Sequence, residues 1–263
     1  MSAGTRPRRR LGQHYLVDAG LRHRVVAAAG IQPDDEVLEI GAGPGTLTGE
    51  LVRLARRVVA VELDERHLPA LRRAAPGAEL VQANVLTLDL AGLFPQGGEV
   101  VVGNIPYYLT GSLLPKLLQS PPLPRRLSLV VQREVAERWC GIGGWSLATV
   151  AAQTLSEPRI ELELPPEAFA PPPRVHSALC VLETRPTPAV HVDDLDRFFR
   201  FVEEVFQFRR KQLGAVLVRV SGGDRAGVDA ELRSLGIEPG RRAETLRLHE
   251  WEALYRRVVE NAR

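Results

Sequence analysis

Cysteine is scarce in this 263-residue chain, which has only Cys140 and Cys180. They lie far apart and lack the paired spacing of a zinc site, so neither a disulfide framework nor a metal centre is expected. Lysine is scarcer than its charge suggests, since only Lys116 and Lys211 stand among 34 basic residues. Arginine favours planar, bidentate phosphate contacts, yet a GC-rich genome produces the same bias, so it selects no partner. A formal net charge of +2 is too small to demand a polyanion. No run of about twenty apolar residues exists, which argues against a membrane span. The basic opening MSAGTRPRRR has no apolar stretch behind it, so it is no secretory signal and a cytoplasmic location is expected. The composition, 44% hydrophobic and 25% charged, leaves a sizeable core for one large α/β domain or a medium one with a smaller companion.

After a basic arm at 1–10, Asp18 opens a helical pattern that Gly30 closes. Apolar runs at 37–40, 57–61, 79–82, 100–103 and 127–132 read as strands, with helical spacing at 46–56, 66–74, 110–118 and 134–139 between or after them. Strand and helix thus alternate, as in a parallel, doubly wound sheet. A further helix is expected at 145–154, and 160–164 with 178–183 could close the sheet as an antiparallel pair around a proline-rich loop. Beyond the Arg185-Pro-Thr-Pro188 linker the pattern is purely helical, at 195–208, 210–220, 226–235 and 249–261. The expected domains are therefore 1–187, α/β and catalytic, and 188–263, helical.

The first strand runs into Gly41-Ala42-Gly43-Pro44-Gly45. Glycines there allow a tight turn and close approach of the backbone to a ligand. The pattern alone does not separate dehydrogenases, flavoproteins and methyltransferases. Glu62, ending the second strand, could accept two hydrogen bonds from a ribose diol, which suits NAD and S-adenosylmethionine alike. Asp64 reads as a helix cap, and Glu39 could bond loop amides or sit near a methionine amine.

The fourth strand separates these cofactors, because Asn104-Ile105-Pro106-Tyr107 follows it at the carboxyl edge of the sheet. An exocyclic adenine amine is a poor nucleophile, since its lone pair is delocalised into the ring. Acceptors for both N–H groups favour a pyramidal nitrogen, and the Asn104 side-chain carbonyl with the main-chain carbonyl of Pro106 or Ile105 would serve. Pro106 stiffens the turn and Tyr107 offers a face for an extruded base. Alignment would then supply most of the rate gain.

These motifs resemble the ribosomal RNA small-subunit adenine dimethyltransferase family along nearly the whole chain. LGQHYLVD at 11–18, VLEIGAGPGTLT at 37–48, VVAVELD at 58–64, GNIPYYLT at 103–110 and VVQREVAERW at 130–139 carry the resemblance. So do FAPPPRVHSAL at 169–179, FQFRRKQL at 206–213 and GIEPGRRAETLRLHEWEALY at 236–255. The resemblance implies a Rossmann-like methyltransferase sheet with a small C-terminal all-helical domain that binds RNA. It implies that His14, Leu16, Gly41, Glu62, Asn84 and Asn104 contact S-adenosylmethionine, with Gly43 in the same loop. It also implies that Phe169 sandwiches the target base against Tyr107. The implied reaction adds two methyl groups to each of two adjacent adenosines near the 3′ end of small-subunit rRNA, in the 30S precursor particle, by a monomeric enzyme. Three departures stand out: Asn84 replaces the usual Asp, Tyr15 replaces the usual Phe, and RRKQLGAVL lacks asparagines often found after RRK.

Arg6 with Arg8-Arg9-Arg10, Arg209-Arg210-Lys211 and Arg241-Arg242 are the candidate phosphate contacts, the middle cluster foremost. The rival readings are a large-subunit adenine methyltransferase of the macrolide-resistance type, a ribosome-assembly factor that retains the fold, and a dehydrogenase.

Overall fold

The structure, a computed structural model, describes residues 13–260. The expected basic arm, the first two residues of LGQHYLVD and the end of the last predicted helix lie outside them.

The chain begins with β1 (Tyr15–Leu16), α1 (Ala19–Ala28), β2 (Glu36–Ile40), α2 (Thr48–Leu51) and β3 (Arg57–Glu62). It continues through α3 (Leu68–Ala74), β4 (Glu79–Gln82), α4 (Leu90–Leu93), β5 (Val100–Asn104) and α5 (Thr110–Gln119). There follow β6 (Arg126–Gln132), α6 (Arg133–Trp139), α7 (Leu147–Leu155), β7 (Ser156–Leu164), β8 (Phe169–Ala170) and β9 (Ser177–Thr184). Four helices complete it: α8 (Leu195–Phe206), α9 (Leu213–Ser221), α10 (Arg225–Ser234) and α11 (Leu248–Tyr255).

Seven strands form one sheet in the order β4-β3-β2-β5-β6-β9-β7. The neighbours from β4 to β6 are parallel, and β9 runs antiparallel to β6. Val37, Leu38, Val58, Val59, Val101, Val102, Leu127 and Leu129 are all buried, because helices on both faces of a parallel sheet leave no polar side. The strand order reverses between β2 and β5, and the carboxyl ends of these two strands frame the crevice where such sheets take ligands.

Helix α2 is shorter than the leucine spacing at 46–56 predicts. After Val52 the amides turn to i−3 carbonyls, Arg53 N to Glu50 O and Leu54 N to Leu51 O. Arg56 N then bonds Asp35 O over 2.9 Å, which draws the chain off the helix axis toward β3. Helix α1 starts as expected, with Asp18 Oδ1 accepting from Leu21 N over 2.8 Å. The two-residue strands β1 and β8, which pair antiparallel, carried no sequence signal.

The chain divides into two compact units, one reaching Glu137 and including Glu157–Thr184, the other comprising Arg138–Ser156 and everything from Arg185. The expected boundary at 187 falls close to the crossing at Arg185, but 138–156 groups with the helical unit. Helix α7 explains this. Its Ala148, Val150, Ala151, Ala152 and Leu155 are buried, and Trp145 N donates to Glu244 O over 2.7 Å. The unit's core is aromatic, with Phe198 edge-on to Tyr255 at 5.5 Å and Phe206 near Trp251 at 5.3 Å. Arg209, Arg210 and Lys211 are exposed in the turn between α8 and α9.

Candidate active site

Beside the carboxyl ends of β2 to β5 lies an open cleft of about 770 Å³, solvent at its mouth included, in the place where sheets of this kind take their ligands. His14, Gly41, Glu62, Asn84, Asn104, Pro106 and Tyr107 line it, all anticipated from the sequence. Tyr15, Leu63, Ala83, Val85 and Tyr108 complete much of its wall.

The loop after β2 fits a ligand's approach. Gly41 is left-handed (φ +73°), and a side chain there would project to within 3.5 Å of Asn104 O and 3.7 Å of Pro106, narrowing the cleft. Gly43 does not line the cleft. Its amide instead donates to Glu62 Oε2 over 2.7 Å, while Asp64 N donates to Glu62 Oε1, also over 2.7 Å. Each carboxylate oxygen keeps an acceptor direction, so the fixed, buried acid still suits a pair of hydroxyls. Asp64 caps the turn after β3 by accepting from Arg66 N over 3.2 Å. Its hydrogen bonds to the Arg66 guanidinium hold its pKa down to about 2.

Glu39 sits beneath this loop at 1% exposure. Burial pushes its carboxyl up to about 7, an effect that Thr48 moderates and Glu62 reinforces. It is not part of the cleft wall. Asn84 is exposed, and its Oδ1 accepts from Leu86 N over 3.0 Å, so part of its acceptor capacity is spent on its own turn.

At the end of β5, Asn104 Nδ2 donates to His14 O over 2.6 Å. That bond fixes which way the carboxamide faces and leaves Oδ1 as its uncommitted end. Pro106 O already accepts from Leu109 N over 2.9 Å within the turn. Tyr107 is held on two sides. Its hydroxyl lies 2.8 Å from Ser177 Oγ, and its ring stacks on His14 at 5.5 Å with 27° between planes. Burial raises the phenol pKa, so it stays neutral.

Two residues expected to contact ligand are buried. Phe169 is 3% exposed and packs in the core with Leu16, Val25, Val26, Leu164 and Leu179. It pairs with Leu16 across β1 and β8. Leu16, 1% exposed, belongs to the same core. The sequence reading missed Tyr108, which is 55% exposed in the cleft wall, and Ser177. Among the described residues no group of three or more His, Cys, Asp or Glu is placed to hold a metal ion.

In the helical unit, Arg241 is paired with Glu250, with Nη2 3.0 Å from Oε2. Arg209, Arg210 and Lys211 make no ion pair among the described residues.

A Rossmann-like sheet with a glycine loop after β2, an acid closing β3 and Asn-Ile-Pro-Tyr closing β5 defines an S-adenosylmethionine-dependent methyltransferase. Residues 4–258 match the family model described as ribosomal RNA adenine dimethylase. The chain is 37% identical to ribosomal RNA small subunit methyltransferase A of Pelotomaculum thermopropionicum, over 95% of this chain and 91% of that protein. Among solved structures it resembles the 23S rRNA methyltransferase ErmE, with 31% identity, a TM-score of 0.70, and coverage of 93% of this chain and 99% of that one. A dimethyladenosine transferase from Plasmodium falciparum shares the fold at 22% identity and a TM-score of 0.74, over 95% of this chain and 98% of that one. The chain belongs to the ribosomal RNA adenine dimethylase family.

Proposed function

We propose that this protein dimethylates N6 of two adjacent adenosines near the 3′ end of 16S rRNA, acting as a cytoplasmic monomer on a precursor of the 30S particle. The observation that carries the chemistry is the orientation of Asn104. With Nδ2 bonded to His14 O, Oδ1 is the atom left to accept one N6–H of an adenine. The main-chain carbonyl of Ile105 or Pro106 supplies the second acceptor, Pro106 O keeping one lone pair beside its bond from Leu109 N. Two acceptors on one amine draw its hydrogens out of the ring plane and aim the lone pair along the line of transfer. When bound, S-adenosylmethionine supplies a methyl carbon activated by a sulfonium leaving group. Tyr107 offers the face opposite His14 to an extruded base. The methylated nitrogen sheds its proton to water, so no side-chain base is needed.

Glu62 and Asn84 are assigned to the ribose and adenine of the cofactor, with His14 and Gly41 completing its wall. Arg209, Arg210 and Lys211 are assigned to RNA phosphates, and the helical unit to RNA binding. Small-subunit RNA is preferred over large-subunit RNA because the relatives named for the small subunit reach 37% identity over nearly the full chain. The 31% identity to the 23S enzyme ErmE keeps the second substrate as the competing reading. Transfer of labelled methyl groups to isolated 30S and 50S particles, followed by mass mapping of the modified nucleotides, decides between them. Paired dimethyladenosines confined to 16S rRNA are expected, and label confined to 23S rRNA would reject the assignment.

A further inference from the structure

The Tyr15 hydroxyl lies 2.7 Å from Nε2 of His67, and the two rings meet edge to face at 5.4 Å. His67 is only 2% exposed and stands in the turn between β3 and α3. Burial, reinforced by the nearby carboxylates of Glu62 and Asp64, raises the Tyr15 pKa. The phenol therefore keeps its proton, and its hydroxyl can serve Nε2 as donor or acceptor, as the imidazole tautomer requires. Asp64 Oδ2 is 4.0 Å from that nitrogen and already paired with Arg66.

The Tyr15 ring also rests on the glycine loop. A side chain added at Gly43 would meet Tyr15 Cε1 at 3.1 Å and Cδ1 at 3.3 Å. Gly43 N in turn donates to one Glu62 oxygen, and Asp64, three residues before His67, donates to the other. Tyr15 thus lies against Gly43 on one of the segments that fix the Glu62 carboxylate and bonds the His67 side chain on the other. Its neighbour His14 supplies the carbonyl that orients Asn104.

We propose that Tyr15, through its hydrogen bond to His67, is a positioning residue that clamps residues 14–16 onto the glycine loop and so sets the cofactor side of the cleft. It acts through Glu62 and the loop rather than on the reacting atoms. The proposal rests on the cofactor reading above, and the experiment keeps the two separable.

Tyr15→Phe keeps the ring and removes only the clamp. Its affinity for S-adenosylhomocysteine, measured by calorimetry, is expected to fall about tenfold, the scale of one buried hydrogen bond. The KM for S-adenosylmethionine should rise in parallel, with kcat much less affected. His67→Gln, whose side-chain carbonyl can accept from the phenol, should stay near wild-type affinity, whereas His67→Ala should match Tyr15→Phe. Unchanged affinity in Tyr15→Phe, or equal losses in KM and kcat that track a lowered Tm, overturns the clamp. If Tyr15→Phe does not fold, equal affinities of His67→Gln and His67→Ala overturn it instead. A wild-type protein that binds neither S-adenosylmethionine nor its product removes the cofactor reading itself.

Discussion

The Asn104 side chain donates to the main-chain carbonyl of His14 over 2.6 Å, joining residues 90 positions apart in the sequence. The bond makes a symmetric-looking carboxamide directional, with its acceptor end left for the substrate amine. Asn104→Ala should lower kcat about 100-fold or more, the scale seen when one aligned transition-state partner is removed. RNA affinity should change little, because the contact matters most during transfer. Asn104→Asp should fail comparably, since a carboxylate cannot donate to His14 O. Equal single-turnover rates for mutant and wild type would count against this arrangement.

Tyr107 depends on Ser177 for its orientation, through a bond of 2.8 Å to a hydroxyl that is fully buried. Ser177→Ala should cost about 1 kcal/mol of stability by leaving the phenol unmet, and should reduce transfer severalfold. Tyr107→Ala should cost more, since it also removes a stacking face worth about 1–3 kcal/mol per base. Thermal unfolding and RNA-dependent kinetics on the two variants separate these effects. An activity loss in Ser177→Ala as deep as in Tyr107→Ala would mean that orientation, not stacking, dominates.

Phe169 gives a sharper contrast, because a ring buried in the core and a ring stacked on substrate fail differently. Phe169→Ala should destabilise the fold by about 3–5 kcal/mol, with activity lost only as the protein unfolds. Urea titration beside kcat at a temperature where the variant remains folded provides the check. A fall in kcat with an unchanged unfolding midpoint would return Phe169 to the substrate.

The strands β2, β3, β5 and β6 were legible in the sequence because double burial imposes continuous apolar runs, and chain direction put Gly41, Glu62 and Asn104 at their carboxyl ends, while the motifs themselves supplied the chemistry. The placement of Phe169 was not. The ladder of β1 with β8 joins Leu16 to Phe169, and two-residue strands have no period to read. The face that Phe169 presents was therefore hidden. The grouping of α7 with the helical unit was hidden for a related reason. Its apolar residues announce burial but not against what. Tyr15 was visible as a substitution for phenylalanine, yet no sequence pattern joins it to His67, 52 positions further on.

Removing the charges of Arg209 and Arg210 tests the RNA assignment of the turn between α8 and α9. Both are exposed and unpaired by any carboxylate among the described residues, so alanine at both positions should leave stability nearly unchanged. Each phosphate that goes unneutralised lowers the slope of log affinity against log salt by about 0.7–0.9. The double variant should therefore bind 16S rRNA more weakly at low salt and with a flatter salt dependence, measured by filter binding. An unchanged slope would take this turn out of the interface.

Glu39 predicts a pH dependence whose direction follows from its burial. The carboxyl is raised from 4.5 to about 7 in the folded chain, so between those values the folded protein holds a proton that the unfolded chain has released. Stability therefore falls as pH rises through this window and is flat above it. The displacement corresponds to about 3 kcal/mol at 1.36 kcal/mol per unit. Glu39→Gln, a neutral isostere, should cancel this component. The stability difference between variant and wild type should grow in the variant's favour from pH 5 to pH 8, read from urea unfolding midpoints at each pH. Parallel pH profiles for the two proteins would show that the Glu39 carboxyl is ionised throughout, stabilised by the loop amides rather than held neutral beneath them.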